Sequence, residues 1–454
     1  MTGIPMLVAF VIAIVLMIVL ISKFKVHAFL SLMLVSLLLA LVGGIELVKI
    51  PVIIGQGFSG TFTSIGIVII LGALVGTLLE KTGAALKMAD TVVKVVGKNH
   101  PEAAMLIMGW IVSIPVFCDS GFVILDPIRR ALVKRTGRSS VASTVALSMG
   151  LYIAHCFIPP TPGPIAAANT LFEGAGQPVN LLLIIGIGVL CSILPLIVSY
   201  FFALFIGKRV KSKDELAADD GVLTQTYEEL VAGYGTLPGT FMSFSPILIP
   251  ILLMAISSAF TMAGVSFSLI TFLGTPIIAL AVGVILGVIL LSSSGKLKDF
   301  YALTDSTLRV VGPILFVTAA GGVLGKVIAS TDMVNYITQN STALSSLGFF
   351  FPFLLAAILK TAQGSSTVAI TTSAGILAPL MATIGFTSPL SIALTVVAIG
   401  AGAMTVSHAN DSYFWVVTNF GSMEVKDGYR TQTLGTLLVG IAGIINVILV
   451  SLFL

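Results

Sequence analysis

Apolar runs long enough to cross a membrane alternate with short polar connections along most of the chain. A helix needs about 17–25 apolar residues to span a bilayer. Eight uninterrupted runs approach or reach that length: 5–21, 28–43, 61–79, 181–206, 245–260, 269–291, 310–329 and 434–454. This pattern predicts an all-α polytopic membrane protein.

Four further segments depart from the simple span pattern. Two pairs of short apolar arms, 103–117 with 121–132 and 349–359 with 368–380, have lengths that suit re-entrant hairpins better than full crossings. Two longer segments are interrupted. The first, 141–169, contains four prolines between 159 and 164, which a helix cannot pass because proline lacks the backbone N–H. The second, 391–420, is broken by the polar residues 407–411.

Basic residues give the predicted orientation. With Lys23 and Lys25 in the cytoplasm and both arm pairs re-entrant, twenty of the 23 Lys and Arg residues fall on the cytoplasmic side. Lys49, Lys326 and Lys360 are the three exceptions. The positive-inside rule therefore predicts about ten transmembrane helices plus two re-entrant hairpins and two broken helices, counted among the ten, with both termini outside.

The same order of elements occurs twice. The first predicted repeat covers 1–207, with a hairpin at 103–133 and a broken helix at 141–169; the second covers 244–454, with a hairpin at 348–382 and a broken helix at 391–420. A cytoplasmic linker, 208–243, joins them. Because one half starts outside and the other inside, the repeats are inverted, and such repeats with broken helices build a binding site at the bilayer midplane.

Composition narrows the class of function. Charged residues make up 9% of the chain, whereas soluble domains contain about 25%. No basic stripe with interleaved aromatics indicates nucleic-acid binding. No His/Cys spacing is typical of a metal site, and no nucleophile–base pair stands out. The sequence thus predicts a transporter rather than an enzyme, with no cofactor, no metal and no nucleic-acid partner.

Candidate site residues in the first half lie at the hairpin tip and the break. An ionisable side chain at membrane depth is costly and is a functional hypothesis by default. Asp119, beside Ser120 and Gly121, is thus a candidate proton carrier, hydroxyl acceptor or cation ligand, with helix capping as the alternative. His155 is a candidate proton relay or a buried structural histidine. Thr161 and Gly163 lie where the backbone could approach a ligand closely.

The second half offers a matching set. The tip residues Gln363, Gly364, Ser365, Ser366 and Thr367 combine hydroxyls with the start of a helical arm, where free N–H groups suit a carboxylate. Lys360 could pair with a substrate carboxylate or an acid, or reach the outer surface. His408 stands 253 residues after His155, at the other break, beside Asn410 and Asp411. Asp119, Asp411, His155 and His408 are the candidates for proton coupling.

Four tracts carry a family resemblance: 116–122 (VFCDSGF), 158–164 (IPPTPGP), 360–369 (KTAQGSSTVA) and 407–412 (SHANDS). Together they resemble the signature tracts of the gluconate permease family, which is similar to the wider ion-transporter superfamily. The resemblance implies proton-coupled uptake of sugar acids such as gluconate across the bacterial inner membrane, on a homodimeric scaffold. Relatives also carry other hydroxy acids or D-serine, so the substrate stays open.

These observations predict a secondary active transporter that binds a small hydroxy monocarboxylate between the two tips and the two breaks. Proton symport is the first hypothesis. Sodium-coupled carboxylate symport is the alternative, and a passive anion channel is a third.

Overall fold

The computed structural model describes residues 4–96, 100–216, 237–262, 267–332, 347–409 and 411–453. These residues form helices and short connections, with no strand among them. Asn410 and most of the predicted linker lie outside the described residues. The all-helical class predicted from the apolar runs is therefore confirmed.

The described residues of the first half form ten helices. Their bounds are α1 Ile4–Ser22, α2 Ala28–Val42, α3 Ile50–Thr61, α4 Ile67–Lys81, α5 Ala84–Val96, α6 Pro101–Val112, α7 Cys118–Thr136, α8 Ser140–Phe157, α9 Pro162–Gly174 and α10 Leu181–Gly207. A π-helical turn, Phe62–Gly66, joins α3 to α4. A single turn, α11 Lys213–Leu216, follows α10.

In the second half the described residues form ten more helices. Their bounds are α12 Thr240–Met262, α13 Ser268–Leu273, α14 Pro276–Ser293, α15 Phe300–Ala329, α16 Phe350–Gln363, α17 Ser366–Leu377, α18 Pro389–Met404, α19 Ser412–Phe420, α20 Val425–Gly428 and α21 Leu434–Phe453. Short 3-10 turns precede α15 and follow α17, and a π-helical turn precedes α21.

Several boundaries differ from those that the apolar pattern predicts. The third run begins as a helix at Ile50 rather than near residue 61, and the polar stretch after it forms the amphipathic helix α5. The first hairpin turns at 113–117, so Asp119 and Ser120 lie in the first turn of α7 rather than between the arms. The reason is that Pro115 prevents the first arm from continuing, while Asp119 in the first turn of the second arm stabilises the positive end of that helix.

Membrane-spanning length can be judged from the helices themselves. By length and composition, six helices of the described chain could cross a membrane, or seven if the bent pair α4 and α5 is one span. Seven shorter apolar helices accompany them, and these include both arms of the second hairpin and α18. The number of crossings, the re-entrant paths and the inverted relation of the two halves stay predictions.

The interrupted helices lie at the centre of the fold. Every residue of α8 is buried, and so are most residues of α9, α17 and α18. Helix α9 packs against α17 and α18, so the two halves interlock. The elements that the predicted repeats match pair in the same way, α6 against α8 and α16 against α18. Peripheral helices such as α12 and α14 leave large apolar side chains exposed, as a lipid-facing surface requires.

Helices α7 and α19 carry candidate site residues at their N-terminal ends. A cluster of charged residues holds the other ends of these two helices together. Arg129 on α7 donates from Nε to Asp126 at 2.6 Å and from Nη1 to the Ser140 hydroxyl at 2.8 Å. Arg130 donates to Asp126 and to the Phe420 carbonyl oxygen, at 2.7 and 2.6 Å. Helices α7, α8 and α19 are thereby tied together at one end, and this holds the first turns of α7 and α19 in place.

Candidate functional site

Three helices begin at one cavity of about 580 Å³. Helix α7 contributes its first residues Cys118, Asp119 and Ser120, and α17 contributes Ser366 and Thr367 with Gly364 and Ser365 before them. Helix α19 contributes Asp411, Ser412 and Tyr413. The remaining wall is formed by Tyr152 and His155 of α8, by one face of α15, and by residues at the junction of α1 and α2.

Converging helix N-termini make this cavity suited to an anion. The first N–H groups of a helix have no intrahelical partner, and the helix dipole adds a partial positive charge there. Acids already occupy two of the three starts, Asp119 at α7 and Asp411 at α19. Helix α17 has no acid in its first turn, and the Ser365 hydroxyl accepts a hydrogen bond from the backbone N–H of Val368. The start of α17 is therefore the position where a bound carboxylate gains most.

Asp411 is fully engaged by its neighbours. Its Oδ2 lies 2.6 Å from Nζ of Lys360 and accepts from the Ser407 hydroxyl at 2.6 Å. Its Oδ1 accepts from the backbone N–H of Tyr413 at 3.1 Å, so it also caps α19. Lys360 is completely buried and donates a further hydrogen bond to the Gly364 carbonyl oxygen. Lys360 thus pairs with an acid of this chain and does not reach the outer surface.

Asp119 has weaker partners. Its Oδ1 accepts from the Ser412 hydroxyl at 3.2 Å, and the Cys118 thiol lies 3.6 Å from Oδ2. Neither partner carries a charge, and the described residues place no cation in an ion pair with it. The two carboxylates of the cavity consequently differ: Asp411 is neutralised by a lysine, whereas Asp119 is not.

Aromatic side chains also line the cavity. The rings of Tyr152 and Tyr413 lie 5.1 Å apart, and Nζ of Lys360 lies 5.7 Å from the centre of the Tyr152 ring. The Tyr413 hydroxyl donates to the Ser148 carbonyl oxygen at 3.0 Å. His155 packs beside Phe117 at 6.0 Å, and its buried Nδ1 has no hydrogen-bond partner among the described residues. His155 is therefore a polar residue of the cavity wall whose Nδ1 is buried.

The residues of the first break do not line the cavity. The buried Thr161 hydroxyl donates to the carbonyl oxygens of His155 and Ile158, at 2.9 and 2.8 Å. It therefore satisfies carbonyls that the prolines leave without a donor. Gly163 packs against Ile370 of α17, so closely that a methyl group there would lie 2.8 Å from Ile370 Cδ1. The sequence predicts both residues at the ligand; in the structure Thr161 completes backbone hydrogen bonds, Gly163 packs against α17, and neither lines this cavity.

The other predicted site residues divide clearly. The cavity is lined by Asp119, Ser120, His155, Gly364, Ser365, Ser366, Thr367 and Asp411. Gly121 instead packs against Leu151, and His408 is partly exposed, with Nε2 lying 2.9 Å from the Thr361 carbonyl oxygen. Asn410 and the side chain of Gln363 lie outside what the structure describes. The suggested equivalence of the two histidines therefore does not extend to their surroundings.

Some lining residues had no recognisable signal in the sequence. Tyr152 lies inside an apolar helix, and the face of α15 formed by Val310, Pro313, Ile314 and Val317 reads as an ordinary span. His27, at the start of α2, reads as part of a connection. Phe117, Cys118 and Ser412 do lie within the tracts that carry the family resemblance, so those tracts were a better guide than polarity.

A helix-lined cavity with converging helix starts, inside a bundle of apolar helices, is what a membrane permease requires. A sequence model described as GntP family permease matches residues 5–453, and the chain belongs to this family. A gluconate permease of Zymomonas mobilis is 30% identical, over 95% of each chain. The inner membrane permease YgbN of Escherichia coli is 32% identical, also over 95% of each chain.

Among solved structures, the crystal structure of the Alcanivorax borkumensis YdaH transporter, which has an unusual topology, is similar in fold. It superposes with a TM-score of 0.66 over 94% of this chain and 98% of that one, at 14% sequence identity. This likeness concerns the fold alone. The family match and the bundle of apolar helices together make this protein a multi-pass membrane permease.

Proposed function

We propose that this permease takes up a small hydroxylated monocarboxylate such as gluconate, together with a proton, across the bacterial inner membrane. The observation that carries the proposal is the start of α17, which opens on the cavity without an acid of its own. Backbone N–H groups there would hold the carboxylate, and the hydroxyls of Ser366 and Thr367 would contact it or the first hydroxyl of the substrate.

The size of the cavity supports the substrate class. Small-ligand sites usually enclose about 300–1,000 Å³ and combine apolar walls with a few polar groups. The cavity of about 580 Å³ has that character, because its lining includes the Tyr152 and Tyr413 rings together with the hydroxyls of the α17 start. The names of the relatives, a gluconate permease and an inner membrane permease, favour the same substrate and membrane.

Asp119 is the proposed proton carrier. A carboxylate at membrane depth is least costly when a cation pairs with it or a proton neutralises it. Asp411 already has Lys360 at 2.6 Å, so it gains little from a proton. Asp119 has only the neutral partners Ser412 and Cys118. A proton on Asp119 would also remove a negative charge from the cavity that receives the substrate anion, which couples the two binding events.

Uptake into proteoliposomes tests both the substrate and the coupling. Labelled gluconate should accumulate when an inward proton gradient is imposed, and a sodium gradient at constant pH should leave accumulation unchanged. Unlabelled gluconate, other sugar acids, short hydroxy acids and D-serine rank the substrates by competition. The uncharged amide of gluconic acid should compete poorly, because it lacks the carboxylate. Accumulation that follows sodium would select the sodium-coupled alternative, and non-saturating flux without accumulation would select a channel.

Asp119→Asn separates binding from coupling. Asparagine resembles a permanently protonated aspartate, so this variant should exchange internal for external gluconate but should not accumulate it with a proton gradient. Asp119→Glu is the matched control, because it keeps a titratable group and should retain part of the accumulation. Gradient-driven accumulation by Asp119→Asn would remove Asp119 from the mechanism.

The homodimeric scaffold implied by the family resemblance belongs to the same proposal. Light scattering of the purified protein in detergent should give a protein mass of two chains.

A further inference from the structure

A second cavity, of about 320 Å³, lies further along the helices that wall the first. On α15, residues from Val310 to Val317 line the first cavity, whereas residues from Gly322 to Ala329 line the second. Helix α17 and the turn after it show the same order, with Thr367 at the first cavity and Gly375 at the second. The two cavities therefore follow one another along a shared pair of helices.

A tight backbone contact separates them. Gly321 and Gly325 of α15 face Gly375 of α17, and a methyl group on Gly375 would lie 2.5 Å from the Gly321 carbonyl oxygen. No side chain fits between the helices at this level. The second cavity is therefore a distinct space in this conformation and not an extension of the substrate cavity.

Lys326 gives this second cavity its chemistry. Three basic residues depart from the cytoplasmic placement that the positive-inside rule predicts. Lys49 is paired with Glu46 at 2.8 Å, and Lys360 is paired with Asp411 at 2.6 Å. Lys326 lines the second cavity, and the described residues offer it no ion pair. Lys326 lies near the end of α15. Lys298, just before this helix, and Arg309, in its first half, mark the predicted cytoplasmic end, so Lys326 is at the predicted outer end.

We propose that the second cavity is an outer vestibule that captures the carboxylate substrate through Lys326 before the substrate reaches the start of α17. This inference rests on the proposed function. The Gln56 amide, the Thr170 hydroxyl and glycine backbone supply hydrogen-bonding groups around the lysine. Glu173 lines the same cavity, so its carboxylate lowers the net positive charge there and the anion is held weakly. Weak, charge-guided capture raises the rate of encounter without trapping the substrate.

The competing explanation for Lys326 is structural. A lysine in the last turn of a helix stabilises the partial negative charge at the helix end. That role predicts a loss of stability on substitution and no change in how uptake depends on ionic strength. Capture of the substrate predicts unchanged stability and an uptake that depends on ionic strength. Salt screens the long-range attraction between an exposed lysine and an anion.

Initial rates of gluconate uptake by intact cells expressing the full chain distinguish the two roles. In Lys326→Gln the apparent KM should rise about threefold to tenfold at low ionic strength, with an unchanged maximal rate. Raising the salt from about 20 to about 300 mM should raise the KM of the natural protein towards that of the variant. Lys326→Arg should behave as the natural protein does, and Lys49→Gln is the matched outer-lysine control.

Lys326→Cys tests the location without relying on transport. A membrane-impermeant maleimide should label this variant in intact cells, because the natural cysteines Cys118, Cys156 and Cys191 are all buried. Labelling only in inside-out vesicles would overturn the vestibule. So would a KM for Lys326→Gln that matches the natural protein at every salt concentration, or a fall in melting temperature and maximal rate without a change in KM. If the natural protein transports no carboxylate, the proposed function fails first.

Discussion

The two interrupted helices look equivalent in the sequence and differ in chemistry. Between α8 and α9 the chain breaks at prolines, and Thr161 closes the gap by donating to the freed carbonyls of His155 and Ile158. Between α18 and α19 the break ends in Asp411, whose carboxylate joins Lys360 and Ser407 and faces the cavity. In the first break, a residue of the break itself donates the hydrogen bonds that the freed carbonyls need. In the second break, the Asp411 carboxylate is paired by Lys360 of a neighbouring helix, α16.

This difference shows how related architecture can serve unequal roles. Prolines interrupt a helix without adding a charge or a hydrogen-bond donor. The first break can therefore be buried among apolar side chains. Polar residues interrupt the second helix and bring a carboxylate that must be paired at membrane depth. We infer that the first break is a structural joint that positions His155, while the second break is part of the binding site. The predictions below test this contrast, beginning with the largest expected effect.

Removing the cation of the second break should be severe. Lys360→Met leaves Asp411 buried without its ion-pair partner, which costs about 3–5 kcal/mol when one member of a buried pair is removed. We therefore expect a markedly lower melting temperature in detergent and loss of uptake. The double variant Lys360→Met/Asp411→Asn removes both charges and should recover most of the stability without recovering uptake. A Lys360→Met protein that melts like the natural one would show that the second break does not depend on this pair.

Removing a hydroxyl at the start of α17 should affect binding more than stability. Ser366→Ala deletes a proposed contact to the substrate carboxylate, and a hydrogen bond to a charged group contributes roughly 1.5–3 kcal/mol, or about 10- to 100-fold in KM. Uptake kinetics in proteoliposomes measure the change. Ser373→Ala is the matched control on the same helix, because Ser373 is buried and does not line the cavity. Equal KM values for the two variants would remove Ser366 from the binding site.

The sequence predicted the class of fold well, because span length and charge distribution are set by the bilayer and not by tertiary contacts. The same rules located both breaks. They placed Asp119 in a loop, however, because an apolar pattern cannot show where a short arm ends and the next helix starts. They also missed α5, because Lys87 and Lys94 make this stretch read as a polar connection, although the other face of the helix is apolar and buried against α6 and α12.

At the site, the sequence found the ionisable residues but not their partners. Lys360 and Asp411 are 51 residues apart in the chain, and only the packing of α16 against the second break brings them together. Tyr152 and the face of α15 are apolar positions whose role comes from the cavity that they enclose. Thr161 was predicted at the ligand because polarity near a break suggests a site, although its hydroxyl serves the backbone.

The first break should respond to substitution in stability alone. Thr161→Val removes the donor to two buried carbonyl oxygens, and an unsatisfied buried group costs about 1–3 kcal/mol. The melting temperature should fall, while the KM of the folded fraction should stay within about twofold, since that residue does not line the cavity. Thr161→Ser keeps the hydroxyl and should melt close to the natural protein. A large change in KM for Thr161→Val would contradict the structural role of the first break.

The smallest effect is expected for a substitution at Gly163. It tests whether this glycine is needed for helix packing or for close approach of the substrate to the backbone. The methyl group of Gly163→Ala would lie 2.8 Å from Ile370 Cδ1, the mobile end of a side chain that can shift. Overpacking of this kind costs about 1–3 kcal/mol, and we expect the lower end because only one methyl must move. The second variant Gly163→Ala/Ile370→Val deletes that methyl and should recover the melting temperature. If Gly163→Ala instead raised KM, and Ile370→Val did not restore it, the backbone of the first break would be in contact with the substrate after all, and the two breaks would be alike in function.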